Sequence, residues 1–216
     1  MTAGVFETIR VRAGRAPLLH RHVLRLEASC HALGLPVPGR PLTDLVAHRI
    51  GPEDAVVRVV VDGPDTMVTS RSVPPAASLT VVIAATPHSP YPHKATARDA
   101  FEAAQAEAQA AGADDALLLT GRGLVAEGTV WSVFWWEADR LATPSLALGV
   151  LPGIARARIM ELTPTIECER RPADIAGQSL FAANAVRGII PIQSLAGVPV
   201  PLDPRTNDLA SRFWPA

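Results

Sequence analysis

The apolar positions of the chain follow two different periods, and the places where the period changes mark out its elements. Gly4–Arg12 reads as a strand, and Gly14 turns the chain back toward Ala16–Leu19. In His20–Leu33, the residues Val23, Leu26, Cys30 and Leu33 recur at three- and four-residue spacing on one face, which predicts a helix ended by Gly34. Pro41–Ile50 is a second short helix, stopped by Gly51-Pro52. Ala55–Val61, Thr66–Val73 and Leu79–Ala85 are β-rich runs, the last two separated by Pro74-Pro75.

Pro87, Pro90 and Pro92 then mark residues 87–95 as a linker. Thr96 and Asp99 have capping-box spacing and predict the start of an Ala-rich helix over Ala97–Ala111, closed by Gly112. Beyond it the pattern is mostly strand: Ala116–Thr120, Leu124–Ala126, Val130–Glu137, Thr165–Glu169, Ser179–Ala183 and Ile189–Gln193. Helices are expected at Ile154–Leu162 and Thr206–Phe213. The expected fold is α+β. A small N-terminal domain covers residues 1–86, and a larger β-rich domain covers residues 96–216.

Composition narrows the function. With 48% hydrophobic and 19% charged residues, the 216-residue chain can bury a core. A net charge of −1 leaves no basic surplus for phosphate backbones, which argues against broad nucleic-acid binding. No apolar run reaches the ~18 residues of a membrane span; Ser145–Ala155 is broken by Pro152. The first ten residues lack a signal-peptide layout, and Cys30 and Cys168 suit a reducing compartment, so a cytoplasmic protein is expected.

The basic residues are more telling. Nineteen are Arg and one is Lys, at position 94. Arg stays protonated, whereas a buried Lys can release its proton and act as nucleophile or base. A position that keeps Lys in such a chain is a candidate for amine chemistry. Gly121-x-Gly123-x-x-Ala126 has the spacing of a dinucleotide fingerprint, but a β-branched and aromatic run follows it instead of a helix, so it reads as a hairpin turn. The histidines, His88 among them, have no metal-ligand spacing and read as surface or helix-capping residues. Arg156 and Arg158 at the start of the predicted helix oppose its dipole, which points to an anion docked there. Glu127, at a strand end in an apolar stretch, is either a structural carboxylate or a partner for a protonated ring nitrogen.

Taken in order, Gly4–Val11, His22-x-x-Arg25-Leu26, Lys94, Glu127-Gly128-Thr129, Thr143-Pro144, Leu151–Arg156 and Asn184–Ile192 resemble the class IV (fold-type IV) pyridoxal-phosphate enzymes, with the glutamate 33 positions after the lysine. The resemblance implies a two-domain fold with an α/β-sandwich-like N-terminal part and a pseudo-barrel C-terminal part. It implies pyridoxal 5'-phosphate as cofactor and a homodimer acting on a small-molecule amine. Lys94 corresponds to the lysine that binds the cofactor covalently, and Glu127 to the acid that pairs with its pyridine nitrogen. Arg25, Ile154 and Ala155 correspond to the phosphate ligands, and Asn184, Ala185 and Val186 to the substrate side. The Asn184–Ile192 segment is most similar to that of 4-amino-4-deoxychorismate lyases; branched-chain or D-amino acid aminotransferases are the alternative, and a non-catalytic binding protein on the same scaffold is a third reading. Two departures stand out: Ala155 occupies the place of a threonine, and Trp131-Ser132 that of Ser-Asn.

Overall fold

The computed structural model describes residues 4–75 and 78–215, so that residues 1–3, 76 and 77 of the expected N-terminal domain lie outside the described residues, as does 216. Strand β1 (Val5–Val11) is followed by helices α1 (Leu19–Leu33) and α2 (Leu42–Ala47), then by β2 (Ala55–Asp62) and β3 (Asp65–Ser72). The three strands form an antiparallel sheet in the order β1-β2-β3. Side chains alternate across a strand, and this sorts the sheet. Val5, Ile9 and Val11 of β1 and Val57, Val59 and Val61 of β2 pack against Leu26 and Cys30 of α1 and Val46 of α2. Burying each of these larger aliphatic groups contributes ~1.5–3 kcal/mol. Glu7 shares that face; Phe6 and Thr8, paired with Val60 and Arg58, turn the other way.

The second sheet contains β4 (Leu79–Ile83), β5 (Asp115–Leu119), β6 (Val125–Gly128), β7 (Ser132–Glu137), β8 (Arg140–Pro144), β9 (Thr165–Cys168), β10 (Leu180–Asn184), β11 (Gly188–Leu195) and the short β12 (Val198–Pro199). Its order is β6-β5-β4-β11-β10-β7-β8-β9, with β12 on β11. The sheet curls around a core containing Leu117, Val125, Trp135, Leu180 and Ile190. Helix α3 (Asp99–Ala110) connects the parallel strands β4 and β5. Helices α4 (Ile154–Leu162) and α5 (Pro204–Arg212) supply Ile159 and Leu209 to a second cluster with Phe134 and Phe181, whose rings stack at 5.1 Å. No described helix is long and apolar enough to cross a membrane.

Three expectations change. Leu79–Ile83, grouped by sequence with the N-terminal part, pairs with β5 and β11 of the larger sheet, so the change of sheet falls before the prolines of residues 87–95. Strand β8 was not expected; its hairpin with β7 (Trp135↔Ala142) creates it by burying Leu141 and Ala142. The capping box at Thr96 does not form. The Thr96 N–H donates to Gly4 O at 2.7 Å, and the helix begins after Arg98, with no side chain capping it.

Candidate active site

The two sheets face each other across a cavity of about 220 Å³. Lys94 sits in its wall because residues 94–96 bridge to β1: the Phe6 N–H donates to Lys94 O at 2.9 Å, and Val5 pairs with Ala95. Its Nζ lies 4.6 Å from the centre of the Phe6 ring. Burial, with the Arg25 and Arg98 charges, lowers the amine from 10.5 to about 7 against the opposing pull of Glu7 and Glu127. A lysine in that state is part neutral at physiological pH and is a competent nucleophile or base.

Glu7 faces α1, where a one-turn spacing puts His22 and Arg25 over it. Its carboxylate accepts from Arg25 Nε (2.7 Å), Arg25 Nη2 (2.6 Å) and His22 Nδ1 (2.6 Å). Burial by itself raises the Glu7 carboxyl; the Arg25 and His22 interactions reverse this and hold it at about 2. Burial also lowers His22, keeping it neutral against the Glu7 charge. Arg25 is thereby aimed at the cavity, with Nη1 3.4 Å from Pro152 O.

Glu127, at the end of β6, lines the cavity from the larger sheet. Its Oε1 accepts from His88 Nε2 (2.9 Å) and from the Leu151 N–H (3.0 Å); among the described residues, nothing donates to Oε2. Gly128 is required beside it because the Trp131 indole lies across the backbone, 2.2 Å from where a Cβ would stand. His22 and His88 are thus buried partners of carboxylates, a correction to the surface reading: each finds a glutamate remote in sequence, which spacing could not reveal.

Helix α4 opens at the cavity with Gly153 as N-cap, Ile154 and Ala155 buried, and no side chain on its first N–H groups. The expectation that Arg156 is uncompensated is corrected. Its guanidinium turns away to Glu167 (2.9 Å) and Pro144 O (3.2 Å), and Arg158 pairs with Glu161. What remains for an anion is the row of free N–H groups. Asn184, Ala185 and Val186 also line the cavity. The Asn184 side chain is occupied in building its hairpin, accepting from Val186 N (3.0 Å) and Arg187 N (2.8 Å).

Sequence reasoning missed the opposite wall. Alternation in the small sheet turns Arg58 and Arg71 into the cavity, and Arg98 joins them from the start of α3. The Phe6 ring has Arg58 3.8 Å and Arg98 5.8 Å from its centre. Among the described residues, Arg98 donates to backbone and phenol oxygens, Thr129 O (2.5 Å) and Tyr91 OH (3.4 Å). Among the described residues, none of the three guanidinium groups pairs with a carboxylate. Burial, then Arg98 and Arg71, push Arg58 below its ordinary value, while Tyr91 opposes them. The available signal was Arg58 itself, the one charge inside the run Ala55–Val61.

Residues 4–195 match the family described as Amino-transferase class IV. The chain belongs to the class IV aminotransferase family. This is a family of pyridoxal-phosphate-dependent enzymes. Among relatives, the Rickettsia typhi protein named "Probable branched-chain-amino-acid aminotransferase" is 29% identical over 91% of this chain and 78% of its own length. Aminodeoxychorismate lyase of Bacillus subtilis is 33% identical over 39% of this chain and 31% of its own length. The crystal structure of a branched-chain aminotransferase from Thermoproteus uzoniensis superposes with a TM-score of 0.90 at 24% identity, covering 98% of this chain and 84% of that one. The α+β architecture with its curled sheet is therefore the fold-type IV architecture expected of a class IV enzyme.

Proposed function

We propose that this class IV enzyme is an aminodeoxychorismate lyase, releasing pyruvate and 4-aminobenzoate, with Lys94 as its cofactor lysine. The observation that carries the substrate reading is the wall of Arg58, Arg71 and Arg98, three guanidinium groups without carboxylate partners among the described residues. Aminodeoxychorismate bears two carboxylates, whereas a branched-chain amino acid bears one and an apolar side chain; the dicarboxylate 2-oxoglutarate would meet the same wall in an aminotransferase, so an assay without keto acid separates the two. Cations held together in a partly desolvated wall repel one another, and a dianion relieves that cost.

Arg25, Glu127 Oε2 and the backbone N–H groups of Ile154 and Ala155 would hold pyridoxal phosphate. The orphan N–H row and the unpaired Oε2 support the fit. When bound, the cofactor supplies an electron sink. Lys94, lowered to about 7, takes the proton from the carbon bearing the substrate amine. The C–O bond to the enolpyruvyl group would then break with its electron pair on oxygen, the ring becoming aromatic with the amine kept on it, and the departing enolate would take up the proton held by Lys94 to leave as pyruvate. The arginine wall orients the carboxylates. The reading includes a homodimer, which light scattering on the purified protein checks, and a cytoplasmic location, which cell fractionation checks.

A branched-chain or D-amino acid aminotransferase is the second reading, favoured by the match to the Rickettsia protein along 91% of the chain. The test supplies aminodeoxychorismate without any keto acid and follows 4-aminobenzoate. Parallel assays supply branched-chain and D-amino acids with 2-oxoglutarate. Product in the first assay alone supports the lyase; product in the second alone replaces it with the aminotransferase. Borohydride reduction followed by peptide mapping locates the cofactor lysine.

A further inference from the structure

Ala155 leaves the helix start with a methyl group where a hydroxyl donor is expected, yet another hydroxyl is close by. Ser132, the first residue of β7, is carried to the opening of α4 by its pairing with Ala183 of β10. A Cβ on Gly153, the N-cap of α4, would stand 2.9 Å from Ser132 Oγ. The hydroxyl therefore lies directly over the turn that presents the free N–H groups of Ile154 and Ala155. Ser132 lines the cavity together with Arg25, Gly153, Ile154 and Ala155, and is only partly buried. Among the described residues, its Oγ has no hydrogen-bond partner.

We propose that Ser132 is a phosphate-binding residue of this enzyme, its hydroxyl supplying from β7 the donor that Ala155 lacks on α4. The proposal rests on the reading that the chain binds pyridoxal phosphate through Arg25 and the start of α4. Three kinds of donor then converge on one phosphate: a guanidinium, backbone N–H groups and a rotatable hydroxyl. Gly153 is part of the device, since any side chain there displaces the Ser132 hydroxyl. Arg156 is not, because its charge is directed to Glu167.

The experiment titrates the apo-protein with pyridoxal phosphate and, separately, with pyridoxal, which has no phosphate, following absorbance and fluorescence. Ser132→Ala is expected to weaken pyridoxal phosphate binding roughly 10- to 100-fold, the loss of one hydrogen bond to a charged group, and to leave pyridoxal binding unchanged. Ser132→Thr, which keeps the hydroxyl, retains most of the affinity. The double variant Ser132→Ala with Ala155→Thr, which moves the hydroxyl to the helix, regains it. Gly153→Ala reproduces the phosphate-specific loss. The proposal is overturned if Ser132→Ala binds pyridoxal phosphate like the wild type, or if both ligands weaken by the same factor. A folded wild-type protein that takes up neither ligand overturns the cofactor reading and this proposal with it. Uptake by the wild type with no effect of Ser132→Ala overturns this proposal alone.

Discussion

Glu7 and Glu127 are both buried carboxylates beside a histidine, one in each half of the molecule, and they differ in what is left over. Both oxygens of Glu7 are taken, by Arg25 and His22. Among the described residues, only Oε1 of Glu127 is taken, by His88 and the Leu151 N–H. A carboxylate with both oxygens engaged holds a neighbour in place, and here it aims Arg25. A carboxylate with one oxygen fixed and the other open to a cavity is oriented and still available to a ligand. Burial and a histidine partner are common to both, so neither feature distinguishes scaffold from chemistry; the unpaired oxygen does.

Lys94 feels both carboxylates and is where the largest effect is expected. Lys94→Arg keeps the charge and removes the titratable amine. No borohydride-trapped adduct forms and turnover falls to background, with the circular dichroism spectrum intact; an adduct elsewhere with activity retained removes Lys94 from the chemistry. In the wild type, capture of pyridoxal phosphate rises with pH through about 7 as the amine becomes neutral, and stopped-flow absorbance checks the midpoint.

Exchanges that keep the shape and remove the charge test the comparison directly. Glu7→Gln leaves the Arg25 guanidinium without its buried partner and is expected to cost about 3–5 kcal/mol of stability, read by urea denaturation. Glu127→Gln keeps the shape and both donors nearby, changes stability by about 1–3 kcal/mol, and lowers turnover by about two orders of magnitude. If the two variants exchange these phenotypes, the assignment of roles is wrong.

Acid unfolding measures the same asymmetry with no mutation. Glu7 titrates near 2 in the fold against 4.5 as its ordinary value. Its contribution, on the order of 3 kcal/mol, is complete above the unfolded value and is lost as pH falls from 4.5 toward 2. His22, lowered below 6.5, acts in the same direction, since the unfolded chain binds its proton first. Glu7→Gln should flatten this acid limb; an unchanged slope would mean that other carboxylates carry it.

The smallest effect concerns His88. His88→Phe removes one of two donors to Glu127 Oε1 and is expected to weaken cofactor binding by about 1 kcal/mol, roughly fivefold. His88→Gln, which retains an N–H donor, recovers part of it. Loss in His88→Gln with none in His88→Phe assigns His88 instead to packing against Phe101, whose ring centre is 6.0 Å away.

Much of this was legible before any coordinates. The strand at Gly4–Arg12, the helix over His20–Leu33 and the helix at Ile154 appear close to where periodicity put them. The Gly121–Gly123 segment is the hairpin between β5 and β6 that its β-branched sequel implied. The lone lysine and the Lys94 to Glu127 order led to the right family. Strand β8, the uncapped start of α3 and the burial of two histidines were not legible. The last two depend on partners distant in the chain, Gly4 for the start of α3 and Glu7 and Glu127 for the histidines, whereas β8 is made by its hairpin with the adjacent β7.

The sequence by itself determined which residue types were available and where the local elements run, because period, turn chemistry and the scarcity of lysine are local properties. Tertiary structure alone decided how the polar groups were shared out. Residues 94–96 bridge to β1 and bring Lys94 to Phe6; alternation across β2 and β3 turns Arg58 and Arg71 to the same side; β7 delivers Ser132 to Gly153. A hydrogen bond or an ion pair uses up a donor or a lone pair only when the chain has closed around it, so which groups remain free for a ligand is a property of the packed molecule.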